Sequence, residues 1–149
     1  MRNAALIFLL FYVNNATAQT TEDSVKAAIN HLFTAMKTAD GEILAACFTN
    51  TAILQTIAND KTGKLFVRHE TADGFISQIK KLPKDSADER ITFDVIKTDG
   101  PLATAWTPYR FYYAGKFSHC GVNSFQLVRL EGIWKIQYII DTRRRTDCP

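Results

Sequence analysis

The sequence predicts an α+β protein whose helices precede its sheet. Three observations carry this. An apolar stripe of helical period runs from Val25 to Met36, a second helical pattern runs from Thr71 to Leu82, and the last third, Leu102 to Arg144, reads as three antiparallel strands joined by tight Gly turns. Helices first and a meander last is the pattern of a segregated domain with a sheet that wraps a helix. The 149 residues, 46% hydrophobic and 22% charged, are enough for one domain with a real core.

The first 18 residues read as an export signal rather than as part of that domain. Arg2 supplies the positive start, Ala4 to Val13 is a nearly pure apolar run, and Ala16-Thr17-Ala18 is a small-x-small cleavage site before Gln19. The apolar run falls well short of the ~20 residues needed to span a bilayer. The reading is therefore a signal peptide over 1–18 and one domain over 19–149, secreted or periplasmic, with no membrane attachment after cleavage.

Thr20-Thr21-Glu22-Asp23 can cap a helix. Val25, Ala28, Ile29, Leu32, Phe33 and Met36 then form a single face, and Asp40-Gly41 ends it. His31 falls on the opposite, polar face. Glu42 to Phe48 predicts a short second helix with Cys47 inward. Ala52 to Ile57 and Lys64 to Arg68 form a hairpin around Asn59-Asp60-Lys61-Thr62-Gly63. The third helix ends before Pro83, with His69-Glu70 at its head, and Lys84 to Glu89 reads as a charged surface loop. Ile91, Phe93 and Val95 alternate with polar residues, the period of a half-buried strand.

The two Gly turns suggest a register for the long strands. If Glu131-Gly132 is a two-residue loop, Trp134, Ile136 and Tyr138 share the inner face with Leu127, Phe125 and Asn123, and Asp141 lies outside. If Ala114-Gly115 is another, Tyr112 pairs with Phe117 and Arg110 with His119. The inner face then holds Trp106, Arg110, Tyr112, His119, Asn123, Phe125 and Tyr138, an aromatic surface with a few polar groups, as in small-molecule pockets. A single bulge near Gly121 would move part of this set to the other face.

Three cysteines leave an odd count. Cys47 reads as a buried, small apolar residue. Cys120 and Cys148 either pair, tying down the C-terminal tail, or stay free, and spacing alone leaves both open. No Cys or His pair has metal-ligand spacing. The net charge of +3 comes partly from Arg143-Arg144-Arg145 and reads as a solvated tail, not a nucleic-acid surface.

The order of elements, together with Ala39-Asp40-Gly41-Glu42, Cys47-Phe48-Thr49, Phe75 and Ile79, Gly115 to Val122, Gly132-Ile133-Trp134-Lys135-Ile136 and Asp141-Thr142-Arg143-Arg144, resembles the nuclear transport factor 2-like superfamily. Within it, the chain looks like the SnoaL-like, lumazine-binding-like branch of small exported bacterial proteins. The resemblance implies a cone: a strongly curved sheet around the first helix, a cavity at the wide end, and dimerisation through the outer sheet face. It also implies a range of activities from binding or scaffolding to isomerase, dehydratase, cyclase and hydrolase chemistry, so the fold alone selects none of them.

The leading expectation is a small, partly aromatic ligand held in the cone, with Trp106, Arg110, Asn123, Phe125 and Tyr138 lining it. The alternative is acid–base catalysis of isomerisation, dehydration or hydrolysis. His119 titrates near neutrality and is one candidate base. Asp141 is the other, and Tyr112 or Tyr138 is the donor to a developing oxyanion. Each has a plainer reading: a lone exposed or backbone-bonded histidine, and an ion pair of Asp141 that pins a strand end. A third possibility is an interaction module whose cone is filled by its own side chains. Nothing in the sequence points to a metal, nucleotide or flavin cofactor, and the partners expected are a small molecule and a second copy of the chain.

Overall fold

The computed structural model describes residues 20–149, and the export signal expected over 1–18 lies outside the described residues. Helix α1 spans Thr21–Thr38 and is capped by Thr20, whose hydroxyl accepts from the Asp23 amide at 3.1 Å. Val25, Ile29, Leu32, Ala35 and Met36 are buried along one stripe, and His31 is exposed. The helix ends at Ala39, in the left-handed region at φ 54°. The Asp40 amide closes α1 by donating to the Ala35 carbonyl at 3.0 Å, and Asp40 has a second role. It caps α2 (Gly41–Ala46), accepting from the Glu42 and Ile43 amides.

The chain then enters β1 (Phe48–Asn59) and returns as β2 (Leu65–Thr71). Both strands are longer than the sequence suggested, and they absorb Phe48 from the expected second helix and His69-Glu70 from the head of the third. Thr71 caps α3 (Ala72–Ile79). The strands β3 (Ala87–Ile91), β4 (Val95–Asp99), β5 (Leu102–Tyr113), β6 (Lys116–Leu130) and β7 (Ile133–Thr142) follow. The expected surface loop therefore ends at Asp85-Ser86, and Glu89 belongs to a strand.

One strongly curved sheet results, in the order β2-β1-β7-β6-β5-β3, with β4 also on β5. All neighbours are antiparallel except β1 and β7. The single strand expected around Ile91–Val95 is split in two because of Pro108. Its carbonyl accepts from the Thr92 amide, but it has no N–H to return, so β3 pairs with Tyr109–Tyr113 and β4 with Leu102–Trp106.

The inner face of the sheet covers α1. Ile29 and Leu32 join Phe48, Leu54, Phe125, Leu127, Trp134 and Ile136 in one core. Phe33 meets Phe125 edge to face at 6.1 Å, and the Trp134 indole donates to Ser24 Oγ at 3.0 Å. Cys47 is buried and free.

Two bulges decide which side chains face this core. Phe111 pairs with His119 but Tyr112 with Phe117, so Ser118 is an extra residue in β6. Leu127 pairs with Ile136 but Gln126 with Tyr138, so Gln137 is an extra residue in β7. Each extra residue reverses side-chain parity beyond it. Five expectations are corrected. Trp106, Arg110 and Tyr112 face outward, opposite Ser124, Cys120 and Phe117. Tyr138 also faces outward, its hydroxyl donating to Gln55 Oε1 at 2.6 Å. Conversely, Asp141 turns inward and is only 6% exposed.

Candidate functional site

A cavity of about 80 Å³ lies between α1, α3 and the inner face of the sheet. It is smaller than the ~150 Å³ cavity that accommodates benzene, so it suits a ligand of a few heavy atoms. One wall is apolar: Leu32, Phe33 and Met36 of α1, Leu54 of β1, Phe75 of α3, Phe125 of β6 and Ile139 of β7. The other carries Thr56, Glu70, Glu89, Asn123, Asp141 and Arg143.

Asp141 is the hub of the polar wall. Thr56 Oγ1 donates to its Oδ1 at 2.6 Å, while the Tyr109 hydroxyl at 3.0 Å and Arg143 Nε at 2.8 Å donate to Oδ2. The parallel pairing of β1 with β7 brings Thr56 opposite Asp141. Burial pushes the Tyr109 phenol well above its ordinary value, and Asp141 and Glu89 push it further, so the phenol is a donor. Burial works against the Arg143 charge, but Asp141 outweighs it and the guanidinium is held in its charged form.

Glu89 has different surroundings. It shares the inner side of β3 with Ala87 and Ile91, and its one side-chain hydrogen bond among the described residues is from Asn123 Nδ2 to Oε1 at 2.8 Å. Burial pushes its carboxyl from an ordinary 4.5 up to about 7. Asn123 opposes the shift, Asp141 adds to it, and Arg143 opposes it. The cavity thus holds two carboxyl groups in contrasting settings, one met by three donors and one nearly unpartnered. Near them, Thr107 Oγ1 on the inner side of β5 is fully buried, with no hydrogen-bond partner among the described residues.

Of the residues singled out from sequence, Asn123, Phe125 and Asp141 come together here. His119 is on the inner side but outside the cavity lining. It packs at 4.9 Å on Phe111 and edge-on at 5.7 Å to Tyr109, with Nδ1 3.1 Å from Ser118 Oγ. Burial and then Arg143 lower its pKa, so its neutral form is favoured. Tyr112 stacks under Arg90 at 4.3 Å on the outer side. Trp106 is 47% exposed there, and Arg110 is exposed on the same side. Glu89, Thr56 and Tyr109 were missed. The signal for Glu89 was present: Ala87, Glu89, Ile91 and Phe93 alternate, and a strand read from Ala87 puts the carboxyl inward.

The C-terminal side of the site is braced covalently. Cys120 and Cys148 form a disulfide, with Cα atoms 5.6 Å apart. Cys120 also exchanges both backbone hydrogen bonds with Arg144, at 2.8 and 2.9 Å.

This architecture recurs in solved structures. A protein of unknown function from Shewanella baltica, described as nuclear transport factor 2-like, superposes with a TM-score of 0.68 over 89% of this chain and 100% of its own, at 17% identity. This chain has the nuclear transport factor 2-like fold. A second protein of that description, from Methylobacillus flagellatus, is 21% identical over 83% of this chain and 91% of its own, with a TM-score of 0.62. A candidate dehydratase described as from the nuclear transport factor 2-like family, from Streptomyces avermitilis, is 12% identical over 82% of this chain and 94% of its own, with a TM-score of 0.60. No protein-family model matches the sequence, and no curated protein matches it significantly. In this nuclear transport factor 2-like cone, the cavity lies between the first helix and the concave side of the sheet.

Proposed function

We propose that the cavity binds a small molecule and moves a proton on it, with Glu89 as the acid–base group and Asp141 as the fixed carboxylate that holds Tyr109 and Arg143 in place. The observation that carries this is the contrast between the two carboxyl groups lining one cavity. Burial brings Glu89 to about 7, where a carboxyl can both take and return a proton at neutral pH. Asn123 orients Glu89 through Oε1, leaving Oε2 for a substrate proton. Isomerisation and dehydration both begin with such a step, and a candidate dehydratase has the same fold.

Deuterium exchange tests the reading without a known substrate. Small carbonyl and carboxylic compounds are incubated with the protein in D2O, and incorporation at carbon is followed by NMR. Wild type is expected to wash deuterium into at least one of them, and Glu89→Gln to slow this by about 100-fold or more. Equal exchange in Glu89→Gln, or none in wild type, would leave a binding pocket without this chemistry.

We further propose that the protein is exported. The leader pattern over 1–18 supports this, as does the Cys120–Cys148 bond, because disulfides persist in oxidising compartments.

A further inference from the structure

Arg143 is the one cation among the described residues that line the cavity. One edge of its guanidinium is fixed: Nε donates to Asp141 at 2.8 Å, and Asp141 is itself held by Thr56 and Tyr109. Its two terminal nitrogens donate to no group among the described residues. The side chain is 42% exposed, so this free edge is accessible from the rim. Its backbone is held as well, because the next residue, Arg144, is doubly hydrogen-bonded to Cys120, which carries the disulfide.

We infer that the ligand of this cavity is a small carboxylic acid, its carboxylate paired with the free terminal nitrogens of Arg143 and its hydrocarbon body against Phe33, Phe75 and Phe125. The inference rests on the reading of this cavity as the functional site and names the class of molecule it takes. A planar guanidinium edge matches a carboxylate with two parallel hydrogen bonds. An oriented Arg with a preset Nε loses little freedom in making them. A cationic ligand would instead have to lie beside this unneutralised edge.

The lining also carries Glu70 and Glu89, which would repel an anion. Glu70 accepts from the Gln78 amide. Glu89 faces Asn123 of β6, Asp141 and Arg143 at the end of β7, and Tyr109 of β5. With its carboxyl pushed up to about 7, it is neutral on the acidic side of that value and can donate to an anion. Binding of a carboxylate is therefore coupled to protonation of Glu89.

The test is an NMR titration of the protein with butyrate, butylamine and 1-butanol, which share a chain and differ in charge. Butyrate is expected to bind best, with an affinity steady below pH 7 that falls by up to about tenfold per pH unit above it. Arg143→Gln is expected to weaken butyrate by about 10- to 100-fold. Because that change also removes a donor from Asp141, Arg143→Lys is the second variant. It keeps the charge but not the fork, and its loss should be smaller. In Glu89→Gln, butyrate should still bind and the pH dependence should vanish. Butylamine or butanol binding as well as butyrate, no binding by any of the three, or full butyrate affinity in Arg143→Gln would each overturn the inference. Butyrate binding through Arg143 without deuterium exchange would remove the acid–base reading and leave the carboxylate site standing. Exchange with Arg143 dispensable would do the reverse.

Discussion

The Tyr109 side chain crosses strand β6 at Gly121 to reach Asp141 on β7. Its hydroxyl lies 3.0 Å from Asp141 Oδ2 and 3.0 Å from the Thr142 carbonyl. Gly121 pairs with Tyr109, and a Cβ there would lie 3.0 Å from the Tyr109 ring. The missing side chain makes the path that the ring follows. A residue two strands away thus fixes the carboxylate at the centre of the site.

Removing that hydroxyl tests the relationship directly. Tyr109→Phe keeps the ring but leaves Asp141 with Thr56 and Arg143 alone. The expected loss is about 1–2 kcal/mol of stability in urea unfolding. Unchanged stability would mean that the phenol is not a structural donor.

Gly121→Ala should be worse. The added Cβ would lie 1.8 Å from the Thr142 carbonyl oxygen, a backbone atom that cannot swing aside, so β6 and β7 must part where Asp141 and Arg143 are held. The expected cost is about 3 kcal/mol or more. Denaturant unfolding measures it, and a variant as stable as wild type would contradict the close approach.

Glu89 makes stability fall with pH over a defined window. Its carboxyl titrates near 7 when folded, against an ordinary 4.5, so between these values the native state binds more protons than the unfolded one. Linkage then lowers stability as pH rises from about 4.5 to about 7, with no further change from this group above that. The whole effect is at most about 3 kcal/mol. Glu89→Gln should abolish this slope and be more stable than wild type at pH 8. Unfolding curves at four or five pH values would show whether the slopes differ.

The disulfide closes a loop with a sequence separation of 28. Cys148→Ser should cost about 2–4 kcal/mol, and thermal unfolding with and without reductant should show wild type falling to the variant's midpoint when reduced. If the reductant leaves wild type unmoved, the bond contributes nothing to stability.

Local chemistry made much of this fold legible. The stripe from Val25 to Met36 could only be one buried helix face, because apolar side chains at that spacing have no other arrangement that removes them all from water. The turns at Ala114-Gly115 and Glu131-Gly132 were readable because their geometry needs backbone conformations that few residues adopt, and both join strands where expected. Asn123 and Phe125 were placed on the inner face correctly. The Pro108 break was readable in principle, since a strand residue without an N–H cannot complete its ladder on one side.

The rest was decided by tertiary structure, for one physical reason. In a strand, facing depends on an alternation of two, so one extra residue inverts everything beyond it. Ser118 and Gln137 are such residues, and nothing in their chemistry marks them as bulges. They arise where a long sheet must bend around α1, a demand that exists only once helix and sheet meet. By the sequence alone, this protein was determined to be a helix wrapped by a meander with an aromatic, partly polar interior. That Asp141, turned inward by one bulge, meets Glu89 in that interior was decided only when the sheet closed around the helix.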